Sequence, residues 1–160
     1  MVNKKELSEF ISEIELLSID KIKHHFDFLH REALQNVKKP ASPKISVEFV
    51  IRGFDKTEKN IEFIVSHHLQ AISPDEKIIY FDIIVDYLIM FKFLTEYAKN
   101  FEYASLEESL KEINGSLRYL TLPYFRKIVQ EDTIEAGVPP LVLPLMKVKQ
   151  SKEKGSLNKK

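Results

Sequence analysis

The chain has 160 residues, 44% hydrophobic and 30% charged, with no cysteine and a formal net charge of zero. That length suits one domain with a buried core, and the composition is that of a folded protein rather than a disordered or fibrous one. The absence of cysteine excludes a disulfide framework and thiolate metal sites, and the longest apolar run is broken by Asp82, Asp86 and Lys92, which excludes a helical membrane span.

The charge is unevenly spread. Residues 147–160 hold six Lys and one Glu, whereas residues 1–146 hold 18 Lys/Arg and 23 Asp/Glu. An acidic body, expected to form a single domain over 1–146, thus carries a basic tail over 147–160. The plain reading of the tail is a solvated, disordered end; the sharper one is contact with nucleic acid or an acidic partner. The opening MVNKKELSEF has no apolar signal core, so the expected location is the cytoplasm.

In chain order, Lys4 to Ser12 predicts a short helix with Leu7, Phe10 and Ile11 on one face. Glu13 to Phe28 predicts a strand, with a bulge where the alternation slips near Leu16 and Leu17. A loop over 29–42 follows. Lys44 to Phe54 alternates Ile45, Val47, Phe49 and Ile51 with polar residues, the pattern of a half-buried strand. Gly53 to Asn60 reads as a hairpin loop. Ile61 to Ala71 is a strand with Ile61, Phe63 and Val65 on one side and Glu62, Ser66 and His68 on the other.

Ser73-Pro74-Asp75-Glu76 is a tight turn. Lys77 to Phe93 is a strand whose odd positions, from Ile79 to Phe91, are all apolar. Its even positions mix Ile78, Tyr80, Ile84 and Leu88 with Asp82 and Asp86, more apolar than one covered face requires. That excess implies a second layer or a binding surface.

A long helix follows, from a capping box at Ser105 and Glu108 to an exit at Gly137. Leu106, Leu110, Ile113, Leu117, Leu120 and Tyr124 form its apolar stripe, and Pro123 predicts a kink. The last segment, Val138-Pro139-Pro140-Leu141-Val142-Leu143-Pro144, is held extended by its prolines and kept out of a central ladder position. The fold class is therefore α+β: a four-stranded antiparallel sheet, a long helix on one face, and a crossover segment.

Catalytic and metal chemistry find little support. His24-His25 and His67-His68 each offer one ring per sheet face, and no cysteine or carboxylate cluster completes a metal site, so they read as ordinary surface or interface histidines. Asp82 and Asp86 lie about 13 Å apart along a strand, too far to share a proton. Phosphate-loop and hydrolase signatures are absent. No enzyme activity and no cofactor are expected.

Several segments together resemble a family, the SecB-type chaperones of bacterial protein export. Leu122-Pro123-Tyr124-Phe125-Arg126 is similar to the family's helical Pro-Tyr-x-Arg motif, and Gly137 to Pro144 to the segment that crosses the sheet after the helix. Pro43 to Phe49 resembles its early strand, and Met90-Phe91-Lys92-Phe93 the end of its long fourth strand. The resemblance covers about residues 13–146.

It implies an ATP-independent holdase, usually a tetramer built as a dimer of dimers, that binds unfolded polypeptides in long apolar grooves. Carried over, Ile45, Val47, Phe49, Ile83, Val85, Leu141 and Leu143 are the expected client groove, and Leu117, Leu120 and Tyr124 the expected oligomer interface. The family's last helix has no counterpart after Met146. Of its acidic docking surface for the export motor, Asp27 is kept, while a matching fourth-strand position is Ile84, and the tail is basic instead of acidic. The resemblance thus implies client binding before service to the export motor. The alternative is a dedicated-partner module, of the kind in which relatives guard an aggregation-prone antitoxin.

Overall fold

The computed structural model describes residues 14–32, 41–55, 57–58, 60–93, 103–138, 141 and 143. The helix expected over Lys4 to Ser12 and the basic tail lie outside the described residues. The strands are β1 (Ile14–Phe28), β2 (Ser42–Asp55), β3 (Asn60–Ile72) and β4 (Ile79–Phe93), followed by the helix α1 (Tyr103–Glu135). They form one sheet in the order β1-β4-β3-β2, every neighbouring pair antiparallel. Strands β2 to β4 are joined by hairpins, and β1 returns to lie beside β4, a Greek-key order. Among the described residues no helix is long and apolar enough to cross a membrane.

The alternation in the sequence sets the two faces. Along β3, residues alternate between half-buried and buried from Asn60 to Ala71, and β4 does the same from Phe81 to Phe91. Strand β1 contains the expected bulge, at Leu17, and a second at Ile22. Each bulge shifts the pairing by one residue, so Leu16, Ile19, Lys21, His24, Phe26 and Phe28 all stand opposite odd-numbered β4 residues.

The β3–β4 turn forms as expected: Glu76 N–H donates to the Ser73 carbonyl at 2.9 Å, and Glu76 takes a left-handed φ of 58°. The Ser73 hydroxyl accepts the N–H groups of Lys77 and Ile78 and donates to Asp75, holding that carboxyl below its usual value.

Helix α1 covers the odd face. Leu117 packs with Ile61, Phe63, Val65, Ile89 and Phe91; Leu122, Phe125, Ile128 and Val129 pack with Leu69, Phe81, Ile83 and Val85. The helix therefore runs in the direction of β3. Its 33 residues span about 50 Å, comparable to the strands beneath. The helix begins at Tyr103, so Ser105 sits inside the first turn and is not its cap.

Pro123 lies within the helix on its exposed side. The carbonyl it frees belongs to Tyr119, also exposed, where water can serve it. At the other end Gly137, with φ of 72°, makes the expected exit. Val138 N–H donates to the Thr133 carbonyl and Gly137 N–H to that of Ile134, the paired bonds of a Schellman ending.

Candidate functional site

The predicted groove residues separate by depth. Ile83 and Val85 are fully buried under α1 and offer no surface. Leu143 is 1% exposed and belongs to the same core. Ile45, Val47 and Phe49 are half-buried: they stand on the helix-facing side of the edge strand β2, with Ile51 continuing the row. Val47, Phe49 and Ile51 lean on one end of the core, while Ile45 and Leu141 lean on the other. Of the residues expected to form a groove, the accessible ones are thus a row along β2, with Leu141 half-buried on the crossover.

The crossover is tied to the helix it leaves. Thr133 donates its hydroxyl to the Val129 carbonyl and accepts the Leu141 N–H at 3.3 Å. Nearby, Arg31 donates to the Ala136 carbonyl at 3.1 Å while its guanidinium lies 5.8 Å from the Phe28 ring centre. His24 Nε2 is 2.8 Å from the nearly buried Asp132 carboxylate. These contacts fasten β1 and the residues just after it to the last turn of α1 and its exit.

Between α1 and the crossover lies an open cavity of about 460 Å³. Tyr119, Leu122, Pro123, Arg126, Lys127 and Gln130 line it from the helix, and Leu141 and Leu143 from the crossover. Lys127 is engaged by Glu131 at 3.6 Å. Of the lining, only the crossover leucines were expected from the sequence. The stripe could have pointed to most of the rest, since Tyr119, Arg126 and Gln130 occupy the helix side away from it, while Lys127 continues its line one turn beyond Tyr124.

The predicted stripe itself divides. Leu117 is buried in the core of the chain, whereas Leu120 is 36% exposed and Tyr124 53%. The covered face continues instead through Thr121, Phe125, Ile128, Val129, Asp132 and Thr133. Leu120 and Tyr124 therefore form an uncovered apolar ridge, with Tyr124 6.4 Å from Tyr87.

The histidine pairs do split across the faces, but unequally. His68 meets Asp82 at 2.5 Å on the uncovered face. There Ser66 donates to Asp86, and Lys23 lies 4.0 Å from it, so each aspartate has its own partners. Ile64, Ile84, Leu88 and Met90 share that face half-buried, and no second layer covers it among the described residues.

His67 departs from the surface or interface reading and is fully buried. Its ring stacks on Phe125 with centres 4.6 Å apart, and its Nε2 is 2.7 Å from the Thr121 hydroxyl. That hydroxyl reaches the Leu117 carbonyl at 3.3 Å. Among the described residues His67 Nδ1 has no partner. Burial, aided by the charge of Arg118, lowers the imidazole to about 4, and burial pushes the Tyr87 phenol above its usual value. Among the described residues no group of three His, Asp or Glu is arranged to hold a metal.

No family model and no curated protein matches the chain. Among solved structures, it superposes on the SecB-like chaperone Rv1957 of Mycobacterium tuberculosis, solved with a ChAD peptide from the HigA1 antitoxin Rv1956. The TM-score is 0.71 at 15% identity, covering 90% of this chain and 98% of that one. A Streptococcus agalactiae protein of unknown function aligns over 83% and 98% of the two chains, at 17% identity and a TM-score of 0.43.

Proposed function

Because this chain has a SecB-like fold, we propose that it is an ATP-independent holdase that binds non-native polypeptides along an apolar groove. The observation that carries this reading is the half-exposed row Ile45, Val47 and Phe49 on an edge strand, continued by Leu141 on the crossover. Such a row gives apolar contact over length instead of one polar constellation. Each client side chain buried there contributes roughly 1.5–3 kcal/mol, and several on one chain reinforce each other through effective concentration. Ile83, Val85 and Leu143 serve as the floor beneath the groove. The chain works by binding, without catalysis or cofactor.

Suppression of aggregation of a chemically unfolded, unrelated client, near one client per oligomer and without ATP, is the expected result. A folded protein that leaves aggregation unchanged would count against the general holdase. Phe49→Asp is expected to weaken client binding about tenfold or more while circular dichroism shows a folded chain. Unfolding of that variant would make Phe49 core and remove it from the groove.

The ridge of Leu120 and Tyr124 suits an interface between copies, and the assembly we propose is a tetramer built from dimers. Leu120→Asp and Tyr124→Asp should dissociate it in sedimentation runs at little cost to the subunit, since exposed substitutions usually change stability by under about 0.5 kcal/mol. Unchanged sedimentation would rule the ridge out.

A dedicated-partner module is the second reading, favoured by the antitoxin peptide bound to the Mycobacterium tuberculosis neighbour. Co-purification from the native host separates the two: many unrelated clients support the holdase, one dominant partner the module. Service to an export motor in the cytoplasm has the weaker support, because the uncovered face opposes Asp27 to Asp82 yet carries Ile84 between flanking histidines.

A further inference from the structure

We propose that Arg126 is a carboxylate anchor, and that the cavity between α1 and the crossover takes an extended polypeptide segment bearing an aspartate or glutamate among aliphatic residues. The inference rests on the polypeptide-binding reading and names the kind of segment bound.

Arg126 is half-buried in a cavity walled by Leu122, Pro123, Leu141 and Leu143. Among the described residues it makes no hydrogen bond or ion pair, while its neighbour Lys127 already has Glu131. A guanidinium stays charged throughout the physiological range. Beside apolar walls its field is less screened than in water, and covering it without supplying an anion leaves a costly unpaired charge.

The occupant must therefore bring apolar surface and a negative group together. The chain's own tail has the wrong sign, with six Lys and one Glu over 147–160. A purely aliphatic segment would fill the walls and strand the cation. A segment with an acidic side chain satisfies both, because a carboxylate meets the planar guanidinium fork with two parallel hydrogen bonds.

The test uses the full chain and short, amidated, labelled peptides of one aliphatic sequence with a central Glu, Gln or Lys, read by fluorescence anisotropy. The wild-type protein should bind the Glu peptide about tenfold tighter than the Gln peptide, and high salt should narrow the gap. Arg126→Gln should bind both alike. Arg126→Glu should reverse the preference toward the Lys peptide.

The anchor is overturned if wild type shows no Glu preference or if Arg126→Gln keeps it. It is also overturned if no peptide binds while unfolded clients are still held. When neither peptides nor unfolded clients bind, the holdase reading falls with it; when the Gln peptide and clients bind without any Glu preference, the anchor alone falls.

Discussion

Phe125→Ala is expected to destabilise the fold by about 3–5 kcal/mol, the range for emptying a fully buried aromatic site. Phe125 is 0% exposed and sits where α1 meets the two central strands. Its loss leaves a cavity beside Leu69, Ile83 and Val85, which belong to rigid strands and cannot collapse onto it. It also uncovers the His67 ring, whose stacking partner it is at 4.6 Å. Urea denaturation at neutral pH measures the first effect. A loss under about 1 kcal/mol would mean that the helix does not clamp the sheet at this point.

Acid should unfold the protein early, through His67. The buried imidazole is held at about 4 in the folded chain, against about 6.5 when unfolded. The folded state therefore resists protonation. Its stability is complete above about pH 6.5, declines as pH falls through that value toward about 4, and loses nothing more from this group below it. The full loss is roughly 3 kcal/mol, of which about 2 kcal/mol is gone by pH 5.

Protonation would place a charge between Phe125 and Tyr87, with Arg118 already exerting a positive field and only the Thr121 hydroxyl as partner. His67→Phe keeps a flat ring in that slot and removes the titration, so its stability between about pH 7.5 and 5 should be nearly flat where wild type slopes. An identical slope in both would assign acid sensitivity elsewhere. The Asp75 carboxyl, held low by Ser73, contributes only at lower pH. The two experiments are linked: opening the slot with Phe125→Ala should also flatten the acid slope, because a hydrated imidazole titrates near its ordinary value.

The sheet was readable because its apolar residues alternate. The odd positions of β3 and β4 are the core, and the slip at Leu16-Leu17 announced a bulge. The second bulge, at Ile22, was hidden because Asp20-Lys21-Ile22-Lys23 carries too little apolar pattern to fix a register. His67 shares parity with Phe63 and Val65, so its burial was implicit in the pattern, but its residue type argued for surface.

Helix faces were harder. An alternating spacing of four and three follows one line down an isolated helix, but the covered strip on α1 drifts from Leu117 to Phe125 and Val129 and abandons Leu120 and Tyr124. The position of the sheet decides which line is covered, and no local pattern contains it. The cavity at Arg126 needed the crossover brought back against the helix, a contact made by residues several turns apart in sequence.

The Thr133 hydroxyl governs how the crossover can move. It accepts the Leu141 amide while bonded to its own helix, so the crossover cannot lift unless this amide is released to solvent. The backbone proton of Leu141 is thus a clock for the wall: its exchange rate counts openings of the crossover, separately from unfolding of the sheet. A lodged segment that holds the wall shut would slow that single proton, whereas one that pries the wall open would hasten it.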